Sequence, residues 1–258
     1  MVAYLFAVLL IGGLSSVQSN RIIGGVETSI EEYPFIVQLE AFTSPLGWSQ
    51  TCGASILTSY WVLSAAHCFE EWEVSPKRIR AGTTYRNHGG TMHYPRFTFN
   101  HPQYRVASRY DADVSVMRVT SPFVYSLYIQ PGTIVPQGYQ VPDNTPVVLA
   151  GWGDTAWGGN PATGLKKVEI YTINNELCRL RYQDLPGNLV VTPNMMCAGI
   201  LDVGGRDACQ HDGGGPVLVG KIIVGVISWG HRCANATYPG ISTAVSSYTD
   251  WIVQTARG

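Results

Sequence analysis

The sequence predicts an all-β fold, and three observations carry that prediction. Short runs with period-two or uniformly apolar character recur along the chain, each closed by Gly or Pro. Gly (28) and Pro (15) are plentiful among the 258 residues while charged residues make up only 14%, a composition of tight turns rather than of solvated helices. Only Ser246–Ala256 has helical spacing, with Val245, Tyr248, Trp251 and Ile252 on one side.

Taken in order, residues 1–19 are predicted to be a signal peptide. Tyr4–Leu14 is an apolar run of eleven residues, too short to span a bilayer. Val17 and Ser19 supply small residues before a cleavage point after Ser19. A buried N-terminal helix is the competing reading. Strands are predicted over Phe35–Leu39, Cys52–Leu57, Trp61–Ser64, Ile79–Gly82 and Val114–Val119, because each is β-branched or aromatic and bounded by turn residues. A stretch rich in Pro, Gly and Gln over 131–146 separates these from a second set. That set is Val147–Gly151, Leu165–Ile170, Val217–Val219 and Ile222–Trp229, followed by the C-terminal helix. There are no repeats and no low-complexity tract.

Composition excludes several function classes. The hydrophobic share of 45% is enough for a sizeable core, and a net charge of −1 gives no footprint for nucleic acid or an anionic membrane. No later apolar stretch is long enough for a membrane span. Six cysteines behind a secretion signal predict a secreted, extracellular protein with three disulfides, and about fifteen pairings are open. No Cys-x-x-Cys pair is present, which argues against a zinc ribbon. Glu70, Glu71 and Glu73 form no recognisable calcium loop. His67, His211 and His231 come from separate stretches, so no metal site and no cofactor are expected. Asn235-Ala236-Thr237 is an N-glycosylation sequon.

Five stretches carry chemistry. His67 stands in Ala65-Ala66-His67-Cys68, and Asp113 in Asp111-Ala112-Asp113-Val114. Asp207 opens Asp-Ala-Cys-Gln-His-Asp-Gly-Gly-Gly-Pro, which ends at Pro216, and Ser228-Trp229-Gly230 follows. Near the front lies Arg21-Ile22-Ile23-Gly24-Gly25. Singly, a His beside a Cys or an Asp in a turn is more often structural. Together and in this order they resemble the trypsin family over residues 22–258, most closely the short three-disulfide digestive trypsins of insects.

The resemblance implies two six-stranded antiparallel β-barrels with a cleft between them, the changeover near 131–146. It implies the pairs Cys52–Cys68, Cys178–Cys197 and Cys209–Cys233. It makes His67 the general base and Asp113 the carboxylate that orients it. It makes Asp207 the floor of a specificity pocket for Arg or Lys, with Gly230 and Gly240 as its walls. Ser228 and Trp229 become the strand that pairs with a peptide backbone. Residues 20–21 become a short propeptide, cut by another protease after Arg21, so that the Ile22 amine pairs with Asp212.

The chain also departs from the family. The family motif Gly-Asp-Ser-Gly-Gly-Pro reads His211-Asp212-Gly213-Gly214-Gly215-Pro216 here. The nucleophile position is Gly213, and His211 replaces a glycine of the oxyanion loop. Arg232 occupies a position usually Gly, where it is expected to narrow the pocket entrance or compete for Asp207. A glycan on Asn235 would shield the same rim. The expectation is a secreted, monomeric, non-catalytic homologue that binds a partner's Arg or Lys side chain, or a protease inhibitor. The alternative is an active endopeptidase cleaving after Arg or Lys, through an error at 213 or a water-based mechanism using His67. A third reading has the pocket vestigial and the outer surface recognised.

Overall fold

The computed structural model describes residues 23–70, 76–187 and 189–257. The predicted signal peptide, Arg21, Ile22, Glu71 and Glu73 lie outside the described residues. Fifteen strands form two curled, almost wholly antiparallel sheets, with few helices.

The first sheet holds β2 (Ile36–Thr43), β3 (Gly47–Ile56), β4 (Trp61–Ser64), β5 (Lys77–Ala81), β6 (Thr91–His93), β7 (Pro95–Asn100) and β8 (Ser115–Val119). Its order is β6-β5-β2-β3-β4-β8-β7, and β6 and β7 are one run interrupted at Tyr94, so six strands close on themselves. The second sheet contains β1 (Val26–Glu27), β9 (Thr133–Ile134), β10 (Pro146–Gly151) and β11 (Lys166–Ile173). It also contains β12 (Met195–Gly199), β13 (Pro216–Val219), β14 (Ile222–Trp229) and β15 (Gly240–Ala244). The order β11-β10-β13-β14-β15-β12 returns to β11, giving a second six-stranded ring. The two-residue strands β1 and β9 hang on its outside, and β9–β14 is the parallel exception.

The strands form where apolar residues alternate or cluster. In β11 the burial alternates through Lys166, Val168, Ile170 and Thr172, while Glu169 and Tyr171 face outward. Inside the barrels Leu39, Ile56, Leu63, Ile79 and Met117 of one ring, and Trp152, Leu165, Ile170 and Leu218 of the other, are buried. After β1 on the second sheet the chain builds the first sheet, leaves it at Val119 and re-enters the second at Thr133.

Two differences from expectation concern helices. The C-terminal helix α2 covers Thr249–Thr255, preceded by a 3-10 turn at Val245–Ser247, so it is shorter than the Ser246–Ala256 pattern. Helix α1 (Asn175–Tyr182) was not expected, and the Asn174 side chain caps it by accepting from Leu177 N at 3.1 Å. Six strands were likewise missed, including β12 and β15, which line the candidate site. Three disulfides join Cys52–Cys68, Cys178–Cys197 and Cys209–Cys233, the pairs implied by the resemblance.

Candidate active site

The barrels meet where β3 crosses the loop before β13. Gly53 N donates to Gly213 O at 2.8 Å, and a Cβ on Gly53 would come within 2.9 Å of Gly215 Cα. Only glycine allows this approach of two backbones. Gly214 sits at φ +81°, where a Cβ would lie 2.5 Å from Gly53 O. The glycine run thus reflects close packing of the loop against the first barrel.

His67 lies on a one-turn 3-10 segment, Ala66–Phe69, directly after β4. Its backbone N donates to Asp113 Oδ1 at 2.8 Å, and its Nδ1 bonds Asp113 Oδ2 at 2.7 Å. Ser228 Oγ at the end of β14 donates to the same carboxylate. Asp113 is fully buried, and the buried Thr243 Oγ1 donates to its carbonyl at 2.8 Å. Burial opposes a charge on both partners. The Asp113 carboxylate nevertheless outweighs it at His67, whose pKa is raised, and the His67 and Ser228 contacts outweigh it at Asp113, whose pKa is lowered. The pair is built as an imidazole beside an ionised carboxylate.

The third position is empty of chemistry. Gly213 faces His67, and a Cβ built on it would fall 2.8 Å from His67 Nε2 and 3.1 Å from Cε1. The ring therefore occupies space that a serine side chain would need. Its Nε2 also lies 3.5 Å from Cys68 Sγ, against the Cys52–Cys68 disulfide.

His211 makes a second imidazole–carboxylate pair. Its Nδ1 bonds Asp154 Oδ1 at 2.8 Å, and Asp154 is 4% exposed. Its backbone has φ +73°, a strained region for a side-chain-bearing residue, and its carbonyl accepts from the buried Gln50 Nε2 at 3.1 Å. Asp154 and Gln50 were not singled out in the sequence. No local signal points to them, because they stand 57 and 161 positions from His211.

Asp207 lies buried at the floor of a cleft of about 460 Å³ that also takes in His67, Gly213, Ser228, Trp229, Gly230 and Gly240. Its carboxylate accepts from Ala208 N at 2.8 Å and Ala234 N at 3.0 Å. Burial pushes its pKa up to about 7, because those two bonds only partly offset the lost hydration. A Cβ on Gly240 would lie 2.7 Å from Asp207 Oδ1, so the wall must be bare there. At Gly230 the nearest atom to a Cβ is 3.6 Å away, an ordinary contact. Arg232 lines the cleft with φ +64° but forms no ion pair with Asp207, so the expected competition is not seen. Asn235 Oδ1 accepts from Thr237 N at 2.8 Å and Tyr238 N at 3.1 Å, tying the sequon into a turn.

Asp212 is also buried, accepting from Gly153 N at 2.8 Å and Cys209 N at 3.0 Å. Burial again drives its pKa up to about 7. Among the described residues no cation pairs with it. Ile23 is seated beside the pocket, its carbonyl accepting from Asp207 N at 3.2 Å. His67 and His211 line the cleft and His231 does not, and the three form no common ligand group. Among the described residues the one group of possible metal ligands is Cys52, His67 and Cys68, and both sulfurs are tied up in the disulfide. Glu70 is bound by Tyr104 and Arg105. No described helix is long and apolar enough to cross a membrane.

Two antiparallel barrels with a His–Asp pair and a buried carboxylate in the cleft between them define a protein built like a serine endopeptidase. Comparison with known proteins gives the family. Residues 22–252 match the Trypsin family. The chain is 40% identical over 253 residues to "Trypsin, alkaline B" of Manduca sexta, covering 96% of this chain and 98% of that protein. It is 39% identical over 235 residues to "Trypsin CFT-1" of Choristoneura fumiferana, covering 91% of each. It is 40% identical over 211 residues to "Achelase-1" of Lonomia achelous, covering 80% of this chain and 95% of that one. The chain belongs to the trypsin family.

Proposed function

We propose that the protein is a secreted, non-catalytic member of the trypsin family that binds Arg or Lys side chains of protein partners. One observation carries the reading: the residue facing His67 is Gly213, which has no nucleophile to offer. His67 and Asp113 keep the arrangement of a general base and its orienting carboxylate, but the base has no hydroxyl to deprotonate. Loss of the nucleophile alone lowers kcat by about 10⁶-fold in a well-studied serine protease. Donors that remain in place leave a rate on the order of 10³ over water.

Support for the binding half comes from Asp207. A buried carboxylate without a cation favours a ligand that brings one, and Gly240 leaves room for it. Such a ligand is a loop of a partner, a protease inhibitor, or a substrate shielded from active trypsins. The protein acts as a monomer, without cofactor. Cleavage after Arg21 by another protease frees the Ile22 amine for Asp212, whose burial and raised pKa mark the same need for a cation.

The names of the relatives speak for the alternative, an endopeptidase cutting after Arg or Lys. Hydrolysis of a small Arg ester by the Arg21-cleaved protein separates the two. The expected result is no turnover from the native protein and measurable turnover from a Gly213→Ser, His211→Gly double variant. Recovery will be partial, because the His67 ring must shift to admit the serine side chain. Turnover by the native protein at the rate of an active protease would refute the reading.

A further inference from the structure

The rim of the cleft carries charge that the Asp207 pocket does not use. Tyr110, in the loop before Asp113, stacks on Trp229 at the end of β14, with centroids 5.3 Å and planes 18° apart. This stack joins the two barrels across the cleft. The residues beside it are basic. Arg109 precedes Tyr110 and lies over its ring at 5.4 Å, and Arg232 follows Trp229 by three positions. Both line the cleft and both are exposed.

Neighbouring charges are already matched. Glu70, the acid on the rim, is held by Arg105 at 2.7 Å and by the Tyr104 hydroxyl at 2.6 Å. His67 is paired with Asp113, and His211 with Asp154. Among the described residues no carboxylate pairs with Arg109 or Arg232. The cleft therefore presents a buried carboxylate at its floor and two unmatched guanidinium groups on its rim.

We propose that the natural partner segment is of mixed charge: an Arg or Lys anchor flanked along the chain by Asp or Glu side chains that meet Arg109 and Arg232. This rests on the reading of Asp207 as the anchor site. Guanidinium groups favour carboxylates through paired, parallel N–H contacts. On an exposed rim such contacts act chiefly on partner choice and encounter rate, and they weaken with salt.

The test is a ratio. A heptapeptide with Arg at its centre and Glu on both flanks is compared with its Ala-flanked counterpart, binding to the Arg21-cleaved protein being followed by calorimetry. Benzamidine is the control for the anchor site. The Glu peptide is expected to bind about fivefold tighter at low salt, with the preference shrinking in 0.5 M salt, on the order expected of two rim pairs. In an Arg109→Ala, Arg232→Gly double variant the ratio should fall to about one. A change in the anchor pocket itself cancels, because both peptides carry the same Arg. Equal binding of the two peptides by the native protein, with benzamidine bound, overturns this inference and leaves the anchor site standing. So does a preference that survives in the double variant. Failure of benzamidine to bind overturns the anchor site, and this inference with it.

Discussion

At residue 213 a glycine leaves no hydroxyl opposite His67, and the motif makes this legible in the sequence. The sequence also points to His67, Asp113 and Asp207, since each stands in a short distinctive run. It does not point to the His211–Asp154 pair, because that contact is made across two loops and neither residue is unusual where it stands. Asp207 gives a pH prediction. Its folded pKa of about 7 is above the ordinary 3.8, so its protonated form is favoured by folding. Any stability it contributes to the free protein is present below about pH 4 and lost as pH rises through about 7. A cationic ligand reverses the sense, since it needs the carboxylate. Benzamidine affinity should rise about tenfold per pH unit up to about pH 7 and then level off, as measured by calorimetry. An Asp207→Asn variant should bind weakly at every pH. A flat profile in the native protein would remove Asp207 from the site.

Among the elements, α1 was invisible to periodicity for a physical reason. Only Cys178 and Tyr182 of its eight residues are buried, while Leu177 and Leu180 are exposed by 39% and 44%. Two inward residues make no stripe, and the helix is held instead by its cap, a disulfide and the Tyr182 hydroxyl donating to Pro239 O at 2.7 Å. Replacing Asn174 with Ala should therefore lower stability by about 1 kcal/mol, read from denaturant midpoints at unchanged slope. Strand β12 reads Met-Met-Cys-Ala-Gly, with no β-branched or aromatic residue, and β15 opens on a glycine and carries Ser242 and Thr243, so neither shows a strand pattern. Those same features suit β15 to its place, where Gly240 must lie bare against Asp207. A Gly240→Ala variant should fold and lose benzamidine binding, because its methyl group would sit 2.7 Å from the pocket carboxylate.

For the whole molecule, turn density and strand runs predicted an all-β chain, but the closure into two rings came from family resemblance. Local periodicity cannot see that β11 pairs with both β10 and β12. The junction between rings is narrow at Gly53, so it should be intolerant of bulk. A Gly53→Val substitution is expected to destabilise by about 1–3 kcal/mol or more through overpacking, seen as a lowered Tm. If Tm is unchanged, the two barrels do not meet as closely as described.

The bond between Ile23 O and Asp207 N makes the front of the chain and the floor of the cleft one mechanical unit. Whatever holds one end in place holds the other, and the coupling works in both directions with equal free energy. In the Arg21-cleaved form proposed above, occupying the cleft should therefore slow attack on the terminus by an aminopeptidase, and a trimmed form should hold an occupant less firmly. The protein would then report its own processing history through how firmly it holds what it has caught.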